Sequence, residues 1–177
     1  MRLFLKLEND MLTDYLRYLF PTDQNHPLKV SAALEFGELL IAHARTSDRP
    51  VKRPEGDNVI EIELPLNDAT QSLMNHFLFY SVGDMKRLNM GLRSLFNIDL
   101  YTYYLKGLDL GWLKKDIIEA FITSRKLVST DIHDAIHKRI YRREQAKQAK
   151  LTKKLLRKAY YIHESIDSTG LNSENHD

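Results

Sequence analysis

The chain of 177 residues contains no cysteine, which excludes a disulfide framework and any thiolate metal site and agrees with a reducing cytoplasm. Its seven glycines are scattered, so there is no P-loop, no G-x-G-x-x-G and no G-x-S-x-G. No apolar run approaches the ~20 residues that cross a bilayer. Met1-Arg2-Leu3-Phe4-Leu5 begins basic and turns apolar, but Lys6 and Glu8 end the run too soon for a signal peptide. These absences predict a cytoplasmic protein with no membrane partner. Acid is missing from one region in particular. Residues 138–158 hold ten cations (Lys138, Arg139, Arg142, Arg143, Lys147, Lys150, Lys153, Lys154, Arg157 and Lys158) against Glu144 alone, a local charge of +9. The total is only +2, so the rest of the chain carries −7.

Clustered cations on one element attract polyanions. Arg139, Arg143, Lys147, Lys150, Lys154 and Lys158 follow one another at steps of four or three residues. At helical pitch this confines them to an arc of roughly 100°. No Pro or Gly interrupts the stretch from the cap candidates Ser129 and Thr130 to about Ile162, which predicts one long helix. A solvated charged face is the ordinary explanation of such a run, since Lys and Arg form helices well. The near absence of acid argues for a partner, because a face adapted only to water mixes both signs.

The remaining chain predicts an α+β fold: a small α+β part over 1–80, a helical part over 81–163 joined to it across a soft boundary that allows one shared core, and a disordered polar tail over 164–177, most polar from 167. Arg2 to Leu7 reads as a strand. Asn9 or Asp10 caps a helix with Leu12, Tyr15, Leu16 and Leu19 inward, stopped by Pro21. Leu28 to Val30 is a short strand, followed by a helix over 33–44 with Phe36, Leu39 and Leu40 inward and a loop over 46–58. Val59 to Leu64 alternates polar and apolar residues as a half-buried strand does. It is expected to pair antiparallel with 2–7, leaving Glu61 and Glu63 on an acidic outer surface. Residues 75–80 form a further strand. Ser81 and Asp84 resemble a capping box opening a helix to about Phe96. A second helix, capped by Asn97 or Asp99, ends at Gly111, and a third covers 114–124.

Residues 103–122, YYLKGLDLGWLKKDIIEAFI, resemble the helix-turn-helix element of DNA-binding proteins. Gly107 takes the small position where the helices cross, Leu110 precedes the turn, Gly111 lies in it, Trp112 follows it, and Ile117 and Ala120 point inward. The pattern departs at Lys106, a position usually apolar. The face that would read bases carries Leu113, Ile118 and Ile122 beside Lys114, Lys115 and Glu119, whereas base edges call for hydrogen-bonding side chains. This favours a helical hairpin buried on two sides, with Trp112 buried in it and Lys114 and Lys115 left for phosphate. An alternative pairing makes 114–124 the first helix and 130–143 the reader, offering His133, Asp134, His137, Lys138 and Arg142. The chain as a whole is similar to small proteins of phages and other mobile genetic elements.

His133 and His137 have the i,i+4 spacing of two metal ligands, but no third ligand is near, so neither metal nor other cofactor is expected. No catalytic motif is present, and a non-enzymatic role follows. Of the aromatics Tyr101, Tyr103, Tyr104, Trp112, Phe121, Tyr160 and Tyr161, which could stack on single-stranded bases, most are assigned to the core; Tyr141, amid four cations, is the best candidate for a contact. The leading reading is a protein that binds nucleic acid, duplex DNA in particular, through Lys114, Lys115, His137, Lys138, Arg139, Tyr141, Arg142, Arg143, Lys147, Lys150, Lys154 and Lys158. Its rival is an interaction adaptor or homodimer. That reading pairs the long helix through Leu151, Leu155, Ala159 and Ile162, extended by Leu156, Tyr160 and Ile166.

Overall fold

A computed structural model describes the chain except residues 23–25, 69 and 171–177, with side chains described as far as residue 157. The elements run β1 (Arg2–Lys6), α1 (Asp10–Leu19), β2 (Leu28–Lys29), α2 (Glu35–Ala42), β3 (Arg45–Ser47), β4 (Val59–Glu63), β5 (Phe77–Phe79), α3 (Val82–Asp109), α4 (Lys114–Ser124) and α5 (Ile132–Gly170). This is the α+β arrangement that the strand and helix patterns predict. The chain divides into one compact unit, Met1–His133, and a second that starts at Asp134 within α5.

In the first unit β1 and β4 pair antiparallel, with Leu3 opposite Ile62 and Leu5 opposite Ile60. Side chains alternate across a strand, so Leu3, Leu5 and Leu7 from one side and Ile60, Ile62 and Leu64 from the other are buried together. Parallel β2 lies along the opposite edge of β4, which leaves β1 at the edge of the sheet. The outward face is not the acidic surface that Glu61 and Glu63 suggest. Arg2 pairs with Glu61 at 3.3 Å, and the Arg53 guanidinium lies 5.0 Å from the centre of the Phe4 ring. Lys6 donates to the Glu55 carbonyl at 2.8 Å, so the face carries both signs. A second ladder joins β3 to β5 antiparallel, which places Thr46 and Ser47 in a strand rather than in the loop expected over 46–58. Three residues are too few for alternation to show in sequence.

The Asn9 side chain caps α1 by accepting from the Leu12 N–H at 3.0 Å, and Met11, Leu12, Tyr15 and Leu16 form its buried stripe. In α2, Phe36 and Leu40 are buried, whereas Leu39, expected inward, is 43% exposed. The capping box of Ser81 and Asp84 opens α3 as predicted. Asp84 is buried and does more than cap: Arg45 holds both its oxygens, and the His43 Nδ1 lies 3.3 Å away. The Arg45 guanidinium and the Ser81 hydroxyl together hold its carboxyl well below the usual carboxylate range. A buried carboxylate without such partners would be strongly destabilising, so this cluster fixes the α2–β3 segment to the start of α3.

No break occurs in α3 at Asn97 or Asp99, where a second helix was expected. Leu88, Leu92, Phe96, Leu100 and Tyr104 run along one continuous buried stripe. Asp99 serves a tertiary contact instead of a cap. It accepts from Arg125 Nε and Nη2, both at 2.8 Å, and from the Tyr15 hydroxyl at 3.3 Å. Phe96 meets Tyr15 and Phe121 edge to face, with ring centres 5.1 and 5.9 Å apart. Buried Asn89 accepts from the Glu8 N–H and donates to the Lys6 carbonyl, each at 3.0 Å. Sheet, α1, α3 and α4 thus share one core. The division into compact units falls at His133.

Within α5 the helix passes the expected end near Ile162 and includes 164–170, which were expected in the disordered tail. The rest of that tail, 171–177, lies outside the described residues.

Candidate nucleic-acid interface

With 39 residues at about 1.5 Å each, α5 is roughly 58 Å long. Nothing in its sequence before Gly170 breaks a helix. Ile132, Ile136 and Ile140 are buried, and their i+4 spacing places them on the same arc as Arg139, Arg143, Lys147, Lys150 and Lys154. One helix face therefore changes character along its length, apolar and covered up to Ile140 and cationic and open beyond it. Arg139, at the changeover, is half-buried. From Tyr141 to Arg157 every side chain is exposed except that of Glu144. This run includes Arg142, Arg143, Lys147, Lys150 and Lys154, while His137 and Lys138 are exposed one turn earlier. Lys158 continues the helix, but its side chain lies outside the described residues, as do Ala159, Tyr160, Ile162 and Ile166 of the rival seam.

Lys147–Lys150 and Lys150–Lys154 are like-charge neighbours, each costing a helix about 0.2–0.5 kcal/mol. A polyanion along the arc converts that cost into attraction and, on duplex DNA, releases condensed counterions. Tyr141 stands among these cations with 61% of its surface exposed, and its hydroxyl accepts from Gln145 Nε2 at 2.7 Å. An exposed ring beside cations is chemically suited to stack on an unpaired base. Leu151, Leu155 and Leu156 are also exposed, 59–66% each, so the arc beside the basic stripe carries apolar surface. The three isoleucines before the stripe already had the i+4 spacing in sequence, and that signal could have separated the covered part of the arc from its open part.

In the first unit α3 and α4 meet at a tight corner. A Cβ on Gly107 would sit 2.6 Å from Ile117 Cγ1, so the helices cross where only glycine fits. Gly111 has φ of 77°, a left-handed turn conformation open to glycine, and the Trp112 N–H donates to the Gly107 carbonyl at 3.0 Å. Trp112 itself is not buried as expected; its side chain is 48% exposed. The turn closes through its main chain, and the ring is left at the tip with exposed Leu110 and Leu113. Ile117, Ile118, Phe121 and Ile122 are buried, so α4 is packed on two sides and offers Lys114, Lys115 and Glu119 outward. His133 Nδ1 lies 3.6 Å from Glu119 Oε1. Among the described residues no three His, Asp or Glu side chains converge as a metal site, and no helix is long and apolar enough to cross a membrane.

Comparison with protein-family models, with curated proteins and with solved structures finds no match to this chain.

Proposed function

We propose that this is a non-enzymatic, cytoplasmic DNA-binding protein whose α5 lays its basic arc along the phosphates of a duplex. The observation that carries the reading is the open cationic face from Arg143 to Lys154, which has no acid on its arc. Phosphate contacts of this kind set affinity and register, while sequence is read by few side chains. His137, Lys138 and Arg142 are available for that readout. Lys114 and Lys115 are exposed at the start of α4, in the first unit.

The exposed Leu151, Leu155 and Leu156 favour a second reading, in which α5 pairs with a partner helix or with its own copy. Fluorescence anisotropy with a labelled random duplex at low salt separates the two. The DNA reading requires saturable binding that survives Leu151→Ser with Leu155→Ser. The pairing reading requires little DNA affinity, together with self-association in sedimentation that the same double variant abolishes.

A further inference from the structure

A surface helix normally turns charged and polar side chains to water on the side away from its core. In α3 that side is uncharged over most of its length. Opposite the buried stripe, Gly91, Ser94, Ile98, Tyr101, Leu105 and Leu108 follow one another at steps of three and four residues, the spacing of a coiled-coil seam. None of the six is buried, and Ile98 and Leu105 are 63% and 49% exposed. The charged residues within this stretch point elsewhere: Arg93 pairs with Glu8 and Asp99 with Arg125, while Lys106 stands about 100° round the helix from Leu105. Exposed Leu39 of α2 stands at the flank of the seam, where a Cβ on Gly91 would lie 4.0 Å from its Cδ1.

We propose that this seam pairs α3 antiparallel with α3 of a second copy of the chain. The proposal concerns the first unit alone; it does not depend on the DNA reading and makes no use of α5. The order of side-chain sizes selects a second copy as the occupant. The seam is small at its first positions, Gly91 and Ser94, and large at its last, Leu105 and Leu108. A two-fold axis midway between Ile98 and Tyr101 sets Gly91 against Leu108, Ser94 against Leu105 and Ile98 against Tyr101. Each layer then joins a smaller side chain to a larger one, as close packing requires. A parallel pair would set Gly91 on Gly91 and Leu108 on Leu108, with a gap at one end and crowding at the other. Charge selects the same arrangement. Arg87 lies just before the seam and Asp109 just after it, and the axis brings Arg87 of one copy within a helical turn of Asp109 of the other, whereas parallel helices would align like charges. Arg87 is 68% exposed and its contact with Asp84 is long, 3.7 Å, so it is open to a second carboxylate. The contact is isologous, with no charge desolvated at its centre. A seam of about 26 Å is short for an interface, and the expected dissociation constant is micromolar.

Sedimentation equilibrium of the full chain between about 1 and 300 µM should show a monomer–dimer equilibrium. Ile98→Glu, a change at an exposed side chain, should weaken it at least tenfold with unchanged circular dichroism. Ser94→Leu crowds a layer that Leu105 already fills, and Leu105→Ser empties the same layer, so each variant alone should dissociate at least tenfold more readily. An equimolar mixture of the two should recover the parent's association, because in the mixed antiparallel pair one layer has its two side chains exchanged and the other is unaltered. The Leu151→Ser, Leu155→Ser protein should associate as the parent does, which separates this contact from pairing through α5. A chain that stays monomeric to about 300 µM, as it would if a different protein covered the seam, overturns the proposal. So does association that Ile98→Glu leaves intact, that the α5 variant abolishes, or that the mixture fails to recover.

Discussion

Gly107→Ala is the sharpest probe of the α3–α4 corner. The added methyl carbon would lie 2.6 Å from Ile117 Cγ1, 2.8 Å from its Cδ1 and 3.0 Å from its Cγ2. Carbon atoms pack at about 3.5–4.0 Å, so α4 must retreat by roughly 1 Å at a point where Ile117, Ile118 and Phe121 are all buried. Overpacking of this kind costs about 1–3 kcal/mol, and alanine returns about 1 kcal/mol in helix propensity, leaving a net loss of up to ~2 kcal/mol. The clash is with one side chain, so it should disappear when that side chain is removed. Ile117→Ala alone should cost about 2–5 kcal/mol through the cavity it leaves. Adding Gly107→Ala to that background should be neutral or stabilising by up to ~1 kcal/mol. Urea unfolding of the four proteins in the cycle measures this directly. A coupling energy below ~0.5 kcal/mol would refute the close crossing of α3 and α4 at Gly107.

Asn89→Ala should cost about 2–3 kcal/mol in chemical denaturation, because it leaves the Glu8 N–H and the Lys6 carbonyl unpaired beside the core; a loss under ~0.5 kcal/mol would mean that water replaces it freely. Arg125 forks onto Asp99 and lies 5.0–5.4 Å from the ring centres of Tyr18, Tyr103 and Phe121. Arg125→Lys keeps the charge but loses both the fork and the stacking, so it should recover less than half of the stability lost in Arg125→Ala, as thermal melts would show. The carboxyl of Asp84 is held below its ordinary value near 3.8, so its contribution to stability is complete above that pH and drains away as pH falls below it. Asp84→Asn should therefore lower stability at neutral pH and flatten the loss below pH ~4; an unchanged acid limb would show that the cluster with Arg45 and Ser81 contributes nothing.

Much of this fold was legible in the sequence wherever a local rule and the tertiary structure agreed. The alternation in 59–64, the Asn9 cap and the Ser81–Asp84 box each satisfy main-chain groups nearby, so the segments they mark form where the pattern places them. Reading failed where a polar residue answers to something distant in sequence. Asn97 and Asp99 look like caps, yet Asp99 is committed to Arg125 and Tyr15, and α3 runs through both positions unbroken. Trp112 has the composition of a core residue, but the turn at Gly111 turns it to the surface. For the candidate site, the basic arc was visible in the residue spacing, as were the i+4 isoleucines Ile132, Ile136 and Ile140 that mark its covered first turns. The bridging of the Lys6 carbonyl and the Glu8 N–H by Asn89 has no local signature at all, because the partners lie over eighty residues apart.

The central claim, that the arc of α5 binds duplex DNA by neutralising phosphates, is tested most directly by the salt dependence of affinity for a random duplex. With Arg139, Arg143, Lys147, Lys150 and Lys154 engaged, log K should fall against log salt with a slope of about −4.5, roughly a 500-fold loss between 50 and 200 mM. Replacing Arg139, Arg143 and Lys147 with Gln should make that slope shallower by about 2–3 while stability changes by under ~0.5 kcal/mol. A slope shallower than about −1, or a triple variant that binds with the parent's slope and affinity, would contradict the claim.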